Sequence, residues 1–118
     1  MEVPIISRED LKKMIDSGEA YILIDVREPY ELEKYGSIPT SHNIPLDELS
    51  QALELPEEEF ERQYGFGINK EVKIIFYCRS GARADQAATI AKSKGYNAIN
   101  YLGSALDWAD IDENVKKY

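Results

Sequence analysis

The chain has 118 residues, of which 43% are hydrophobic, which is enough for one compact core and too little for two. Its net charge of −8 argues against a nucleic-acid-binding surface, and one cysteine with one histidine excludes an internal disulfide and a Cys/His metal site. We therefore expect a single domain over residues 1–118 that holds no structural metal.

The first 45 residues predict a helix, a strand, a second helix and an extended piece. Ser7, with an acid three residues later, is a helix N-cap signature, and Gly18 is a typical stop. The continuous apolar run over residues 21–26 predicts a strand buried on both faces. A short helix starts at Pro29 and is followed by an extended piece over residues 43–45.

The remainder of the chain continues this alternation. Residues 46–55 and 56–64 predict two helices, the second with proline and glutamates in its first turn. Residues 72–77 predict the second strong strand, residues 98–101 a short last strand, and the segment around Trp108 a final helix. Between these strands, small residues at helical spacing predict a helix that packs closely on the sheet: Ala84, Ala87, Ala88 and Ala91.

Strands alternating with helices predict a parallel α/β sheet that is covered on both faces, with right-handed crossovers. Ligands of such sheets bind outside the carboxyl ends of the strands. Cys78 directly follows the strand predicted over residues 72–77, so we expect the functional site there.

The surroundings of Cys78 favour chemistry at its sulfur. A helix is predicted to begin just after it, so the intervening backbone N–H groups form an anion-binding nest. Arg79 and Arg83 add positive charge, and residues 72–94 carry five Lys or Arg against one acid in an otherwise acidic chain. We therefore expect a nucleophilic thiolate and an anionic substrate. An inert core cysteine would explain neither the arginines nor Gly81, which suits a tight loop.

Three segments, in this order, resemble the rhodanese domain, the sulfurtransferase family. They are Asp25-Val26-Arg27-Glu28, Gly36-Ser37-Ile38-Pro39 leading to Asn43-Ile44-Pro45, and Cys78-Arg79-Ser80-Gly81-Ala82-Arg83. With Gly103 and Trp108 they define a core of about residues 5–110. Their order and spacing are similar to small single-domain thiosulfate sulfurtransferases, including glutathione-using members. Ser37 and Thr40 depart from the family, which often has histidine and glycine there.

The resemblance implies a central, mostly parallel, five-stranded sheet with helices on both faces. It also implies sulfur transfer in sulfide metabolism, through a Cys78 persulfide, from thiosulfate or a similar donor to a glutathione-like thiol or cyanide, with no cofactor. The persulfide and the substrate would be held by the loop residues Arg79, Ser80, Gly81, Ala82, Arg83 and Ala84. Asp25 and Arg27 are expected to support this loop rather than to react.

Two other functions remain open from the sequence. Cysteine phosphatases and arsenate reductases also place a thiolate and an arginine around an anion-binding loop, but their signature has five intervening residues, whereas Cys78 and Arg83 enclose four. A rhodanese-like module that only binds partners would be indicated by loss of the cysteine, which is present. We interpret His42 as a structural residue because a thiolate ionised by its loop needs no base.

The expected partners are small molecules, an anionic sulfur donor and a thiol acceptor, and neither nucleic acid nor membrane. No apolar run approaches the roughly 20 residues of a membrane span, and residues 1–4 lack the basic and apolar stretches of a secretory signal. We expect a soluble cytoplasmic protein, although a mitochondrial protein whose targeting segment had been removed would have the same sequence. The physiological donor and acceptor and the oligomeric state stay open.

Overall fold

A computed structural model describes residues 2–118 of the chain. Within that range the strands are β1 (Tyr21–Asp25), β2 (His42–Asn43), β3 (Lys73–Tyr77) and β4 (Asn97–Asn100). The helices are α1 (Arg8–Ser17), α2 (Pro29–Tyr35), α3 (Leu46–Ala52), α4 (Glu57–Tyr64), α5 (Ala82–Ser93) and α6 (Ser104–Trp108). Each helix and strand predicted from the residue patterns is present, with bounds that differ by a few residues. None of these helices is long and apolar enough to cross a membrane.

The strands form one parallel sheet in the order β2-β1-β3-β4. The expectation of five strands is wrong, because residues 2–118 contain four. Ile5 makes only an isolated parallel bridge to Asn100, flanked by a bond from Asn100 N to Pro4 O of 2.8 Å and one from Ile6 N to Asn100 O of 3.0 Å. Pro4 has no N–H and Ser7 already caps α1, so the segment between them is too short for a strand.

Local signals in the sequence explain where the helices begin and how they pack. Ser7 Oγ accepts a hydrogen bond from Asp10 N at 3.1 Å, and Gly18 ends α1 in the left-handed conformation, as predicted. The alanine stripe of α5 is completely buried, which lets this helix approach the sheet closely: Ala84, Ala87, Ala88 and Ala91.

The core has two parts because alternate residues of a strand point to opposite faces of the sheet. On one face, Ile24 and Phe76 pack with residues of α3, α4 and α5. On the other face, Leu23 and Ile75 pack with residues of α1 and α6. All four side chains are fully buried, and burial of each contributes roughly 1.5–3 kcal/mol.

The parallel register determines which segments meet at the carboxyl edge of the sheet. Asp25 pairs with Tyr77 at the ends of β1 and β3, and Val26 N donates to Tyr77 O at 3.0 Å. Arg27 and Cys78 therefore leave neighbouring strands at the same edge, which is where ligands bind in parallel α/β sheets.

Candidate active site

The Cys78 sulfur lies against backbone amides rather than against a purely apolar wall. The residue is 1% exposed, and Gly81 N and Ala84 N donate to Sγ at 3.0 and 3.4 Å. Ala84 belongs to the first turn of α5, so the positive end of the helix dipole faces the same atom. This arrangement can stabilise a negative charge on Sγ or on an atom bound to it.

Gly81 gives the loop its shape. Its φ is +109°, which L-residues rarely adopt, and a Cβ there would lie 2.4 Å from Leu102 O and 2.8 Å from Leu102 Cδ1. The loop is therefore confined between the Cys78 sulfur on one side and Leu102, which follows β4, on the other.

Ser104 holds the backbone of Cys78 from behind. Cys78 N donates to Ser104 Oγ at 3.1 Å, and this hydroxyl donates to Tyr101 O at 2.8 Å. Ala105 N donates to Cys78 O at 2.9 Å. Although Ser104 Oγ lies 3.9 Å from Sγ, its proton is used by Tyr101 O, so its role is to accept from the Cys78 amide. Ser104 adopts a φ of +57°, an unusual backbone state for serine.

Arg83 is paired with a carboxylate from α2. Its Nη1 and Nη2 donate to Glu31 Oε2 and Oε1 at 2.7 and 3.1 Å, and Glu28 N also donates to Glu31 Oε2 at 2.8 Å. The hydrogen bonds from Arg83 lower the pKa of Glu31 to about 2, and the same bonds raise the pKa of Arg83. The pair therefore joins the start of α5 to α2, and it neutralises the charge of Arg83.

Asp25 and Arg27 form a second, completely buried ion pair. Arg27 Nη2 donates to Asp25 Oδ2 at 2.6 Å and to Gly36 O at 2.8 Å. Burial opposes the charge of Arg27, but the hydrogen bonds and negative charge of Asp25 outweigh it and raise the pKa of Arg27. Arg27 reaches the loop indirectly: its Nη1 donates to Tyr118 Oη at 3.2 Å, and Tyr118 Oη donates to Glu31 Oε1 at 2.7 Å.

Arg79 differs from both other arginines. Its Nε is buried and has no hydrogen-bond partner within residues 2–118, and its guanidinium carbon lies 4.8 Å from the centre of the Tyr118 ring. Of the two arginines that flank Cys78, Arg79 is thus the one whose charge no carboxylate of the described chain neutralises.

Three further residues that were singled out from the sequence are exposed. Ser80 and Ala82 are exposed positions of the loop. His42 lies on β2, separated from β3 by β1, and stacks on Phe66 with ring centroids 3.9 Å apart; burial lowers its pKa.

A groove of about 370 Å³ opens next to the loop and is lined by Val26, Glu28, Leu46, Asp47 and Arg83.

Three side chains of the site were not singled out from the sequence: Glu31, Ser104 and Tyr118. Glu31 left one local signal, because it forms a capping box with Glu28 at the start of α2. Nothing in the sequence tells which of 22 acids pairs with Arg83. Ser104 could not be found from the sequence either. A left-handed φ is usually indicated by a glycine, and a serine occupies this position.

Comparison with known proteins finds a match to the Rhodanese-like domain over residues 7–111. The chain is 43% identical over 103 residues to a putative mitochondrial thiosulfate sulfurtransferase of Schizosaccharomyces pombe, covering 86% of this chain and 72% of that protein. It is 36% identical over 110 residues to a Homo sapiens thiosulfate:glutathione sulfurtransferase, covering 91% and 94%. A solved human single-domain sulfurtransferase superposes with a TM-score of 0.87 at 34% identity, over 93% of this chain and 98% of the other.

Proposed function

The chain belongs to the rhodanese-like domain family, and from this premise we propose that it is a thiosulfate sulfurtransferase in which Cys78 carries the transferred sulfur. The observation that supports this proposal most directly is the pair of N–H···S hydrogen bonds from Gly81 and Ala84. They favour a negative charge on Sγ, which a nucleophilic thiolate needs.

In the first step the Cys78 thiolate attacks the outer sulfur of thiosulfate. A bond forms between Sγ and that sulfur, the sulfur–sulfur bond of thiosulfate breaks, and its electron pair leaves with sulfite. The product is a Cys78 persulfide whose terminal sulfur carries one negative charge. We assign the compensation of this charge to the backbone amides of the loop, which Gly81 and the first turn of α5 hold around Sγ.

In the second step an acceptor thiolate attacks the terminal sulfur of the persulfide. The new sulfur–sulfur bond joins the acceptor to the transferred atom, and the Cys78 thiolate leaves with the electron pair of the old bond. Glutathione is the best-supported acceptor, because the names of a human and a yeast relative include it. Cyanide accepts the same atom to give thiocyanate.

The two arginines that flank Cys78 have different roles: Arg79 recognises the donor, and Arg83 holds the loop. Arg79, which has no carboxylate partner within the described chain, contacts the anionic sulfonate end of the donor. Arg83, which is paired with Glu31, holds the loop against α2 and lines the groove beside it. Asp25 and Arg27 support the loop through Tyr118 and take no part in the bond changes.

Mass spectrometry of the intact protein tests this proposal. Incubation with thiosulfate should add the mass of one sulfur atom to the wild type, and later addition of glutathione or cyanide should remove it. Cys78→Ser should gain nothing under the same conditions. An unmodified wild-type thiol would overturn the proposal. If the sulfur is taken up, a steady-state comparison of thiol acceptors identifies which one regenerates the enzyme fastest.

A further inference from the structure

Tyr118 lies between the two ion pairs of the site. Its hydroxyl accepts from Arg27 Nη1 at 3.2 Å and donates to Glu31 Oε1 at 2.7 Å. The side chain thereby connects Arg27, which follows β1, to the carboxylate that holds Arg83. Burial is the main cause that raises the pKa of Tyr118, so the phenol keeps the proton that it donates to Glu31.

The ring of Tyr118 has a separate set of contacts. It stacks on Tyr35 with centroids 3.7 Å apart and an angle of 2° between the planes. The guanidinium carbon of Arg79 lies 4.8 Å from the centre of the same ring, within the range of a cation–π contact. Tyr35, at the end of α2, thus fixes the ring, and the ring supports Arg79.

An aromatic partner affects an arginine differently from a carboxylate. A carboxylate occupies N–H groups and neutralises the charge, as Glu31 does with Arg83. A ring contacts the flat face of the guanidinium, so the N–H groups at its edge and the full positive charge stay available for an anion. Arg79 fits the second case, because its Nε is without a partner in the described residues.

We propose that Tyr118 is a positioning residue whose aromatic face, rather than its hydroxyl, sets the affinity of the site for the anionic sulfur donor. It does so by holding the unpaired Arg79 guanidinium, and the identification of the donor as thiosulfate rests on the function proposed above. The hydroxyl has a different task, which is to accept a hydrogen bond from the buried Arg27 and to donate one to Glu31.

Two substitutions separate the ring from the hydroxyl. Tyr118→Leu should raise the KM for thiosulfate roughly threefold to tenfold at saturating thiol, with kcat within about twofold of wild type. Tyr118→Phe should leave that KM within about twofold and lower the Tm, because Arg27 Nη1 loses its partner. In an Arg79→Ala background, Tyr118→Leu should cause no further rise in KM.

Tyr96→Leu is the matched control. Tyr96 also faces a cation, with Lys70 Nζ 5.6 Å from its centroid, but it precedes β4 and so lies at the opposite edge of the sheet from Cys78. Its loss should change Tm and leave the KM for thiosulfate unaltered. An equal rise in KM for Tyr118→Phe and Tyr118→Leu would assign the effect to the hydroxyl and overturn the inference.

Thiosulfate binding to Cys78→Ser, measured by calorimetry, distinguishes this inference from the proposed function, because that variant binds the donor without reacting. Adding Tyr118→Leu should weaken its binding roughly threefold to tenfold. If the wild type takes up no sulfur while this loss is observed, the proposed function fails and the inference stands. If the wild type transfers sulfur and Tyr118→Leu binds thiosulfate normally, the inference fails alone.

Discussion

Replacing Glu31 by glutamine removes the charge opposite Arg83 while it keeps the size of the side chain. Glu31 is 4% exposed and accepts hydrogen bonds from Arg83 Nη1 and from Glu28 N at 2.7 and 2.8 Å. Glutamine has one acceptor oxygen, and its amide N–H groups would face the guanidinium. We therefore expect a less stable protein with a less firmly held loop.

The magnitude follows from the pKa of Glu31, which falls from its ordinary value of 4.5 to about 2, mainly through the hydrogen bonds from Arg83. At about 1.4 kcal/mol per pKa unit, ionised Glu31 contributes roughly 3 kcal/mol. The Arg83 side chain is 32% exposed, so water solvates part of its charge once the carboxylate is gone. We expect Glu31→Gln to lower the free energy of unfolding by about 2–3 kcal/mol at pH 7.

The sign of the pH dependence is fixed by the direction of this pKa shift. Because the folded-state pKa of Glu31 is depressed, its contribution is complete above pH 4.5 and is lost as the pH falls towards 2. Urea denaturation followed by circular dichroism, repeated from pH 7 to pH 2, should show wild type and Glu31→Gln converging over that window. Titrations of other carboxylates are common to both proteins and cancel in the difference.

Asp16→Asn provides the control for this experiment, because Asp16 forms an exposed ion pair with Lys12 within α1. Its effect should stay within about 0.5 kcal/mol at every pH. Equal stability of wild type and Glu31→Gln at pH 7, or a difference that stays constant down to pH 2, would refute the reasoning.

Three further outcomes are expected. Gly81→Ala should lower the free energy of unfolding by more than about 2 kcal/mol and slow sulfur loading, because the new Cβ meets Leu102 O. Ser104→Ala should cost about 1–3 kcal/mol by leaving the Cys78 N–H unpaired, and Ser104→Gly should be about 1 kcal/mol more stable than Ser104→Ala, because glycine tolerates φ of +57°. An aryl phosphate should not be hydrolysed, because the loop from Cys78 to Arg83 is one residue shorter than the phosphatase signature.

Each of these outcomes has a comparison that would contradict it. Gly18 also has a positive φ, of +76°, but nothing lies within 4 Å of its Cβ position, so Gly18→Ala should cost only about 1 kcal/mol. Equal losses at Gly18 and Gly81 in urea denaturation would mean that Leu102 does not confine the loop. The same measurement on the two Ser104 variants checks their order, and turnover of the aryl phosphate that disappears in Cys78→Ser would favour the phosphatase alternative.

Structural elements that depend on residues close together in the chain could be predicted from the sequence. The apolar run of β3, the alanine spacing of α5 and the cap at Ser7 each act over a few residues, and they suffice to place Cys78 at the carboxyl edge of a parallel sheet. The count of five strands came from the family resemblance and not from a residue pattern, and it is wrong because the segment around Ile5 makes only an isolated bridge.

Features that join distant segments were not readable. Glu31 and Arg83 are 52 residues apart, and Cys78 and Ser104 are 26 apart, so both contacts depend on how helices cover the finished sheet. The sequence did indicate that two arginines flank the thiol. Only the tertiary structure shows that a carboxylate neutralises Arg83 and that Arg79 contacts an aromatic ring.

The turn between β4 and α6 has a consequence for protein engineering. Leu102 limits the space of Gly81, Ser104 accepts from the Cys78 amide, and Ala105 N donates to Cys78 O. The conformation of the loop over residues 78–83 therefore depends on contacts with residues 102–105, which come later in the chain. Grafting residues 78–83 onto a foreign scaffold therefore requires residues 102–105 as well, because the two segments determine one conformation together.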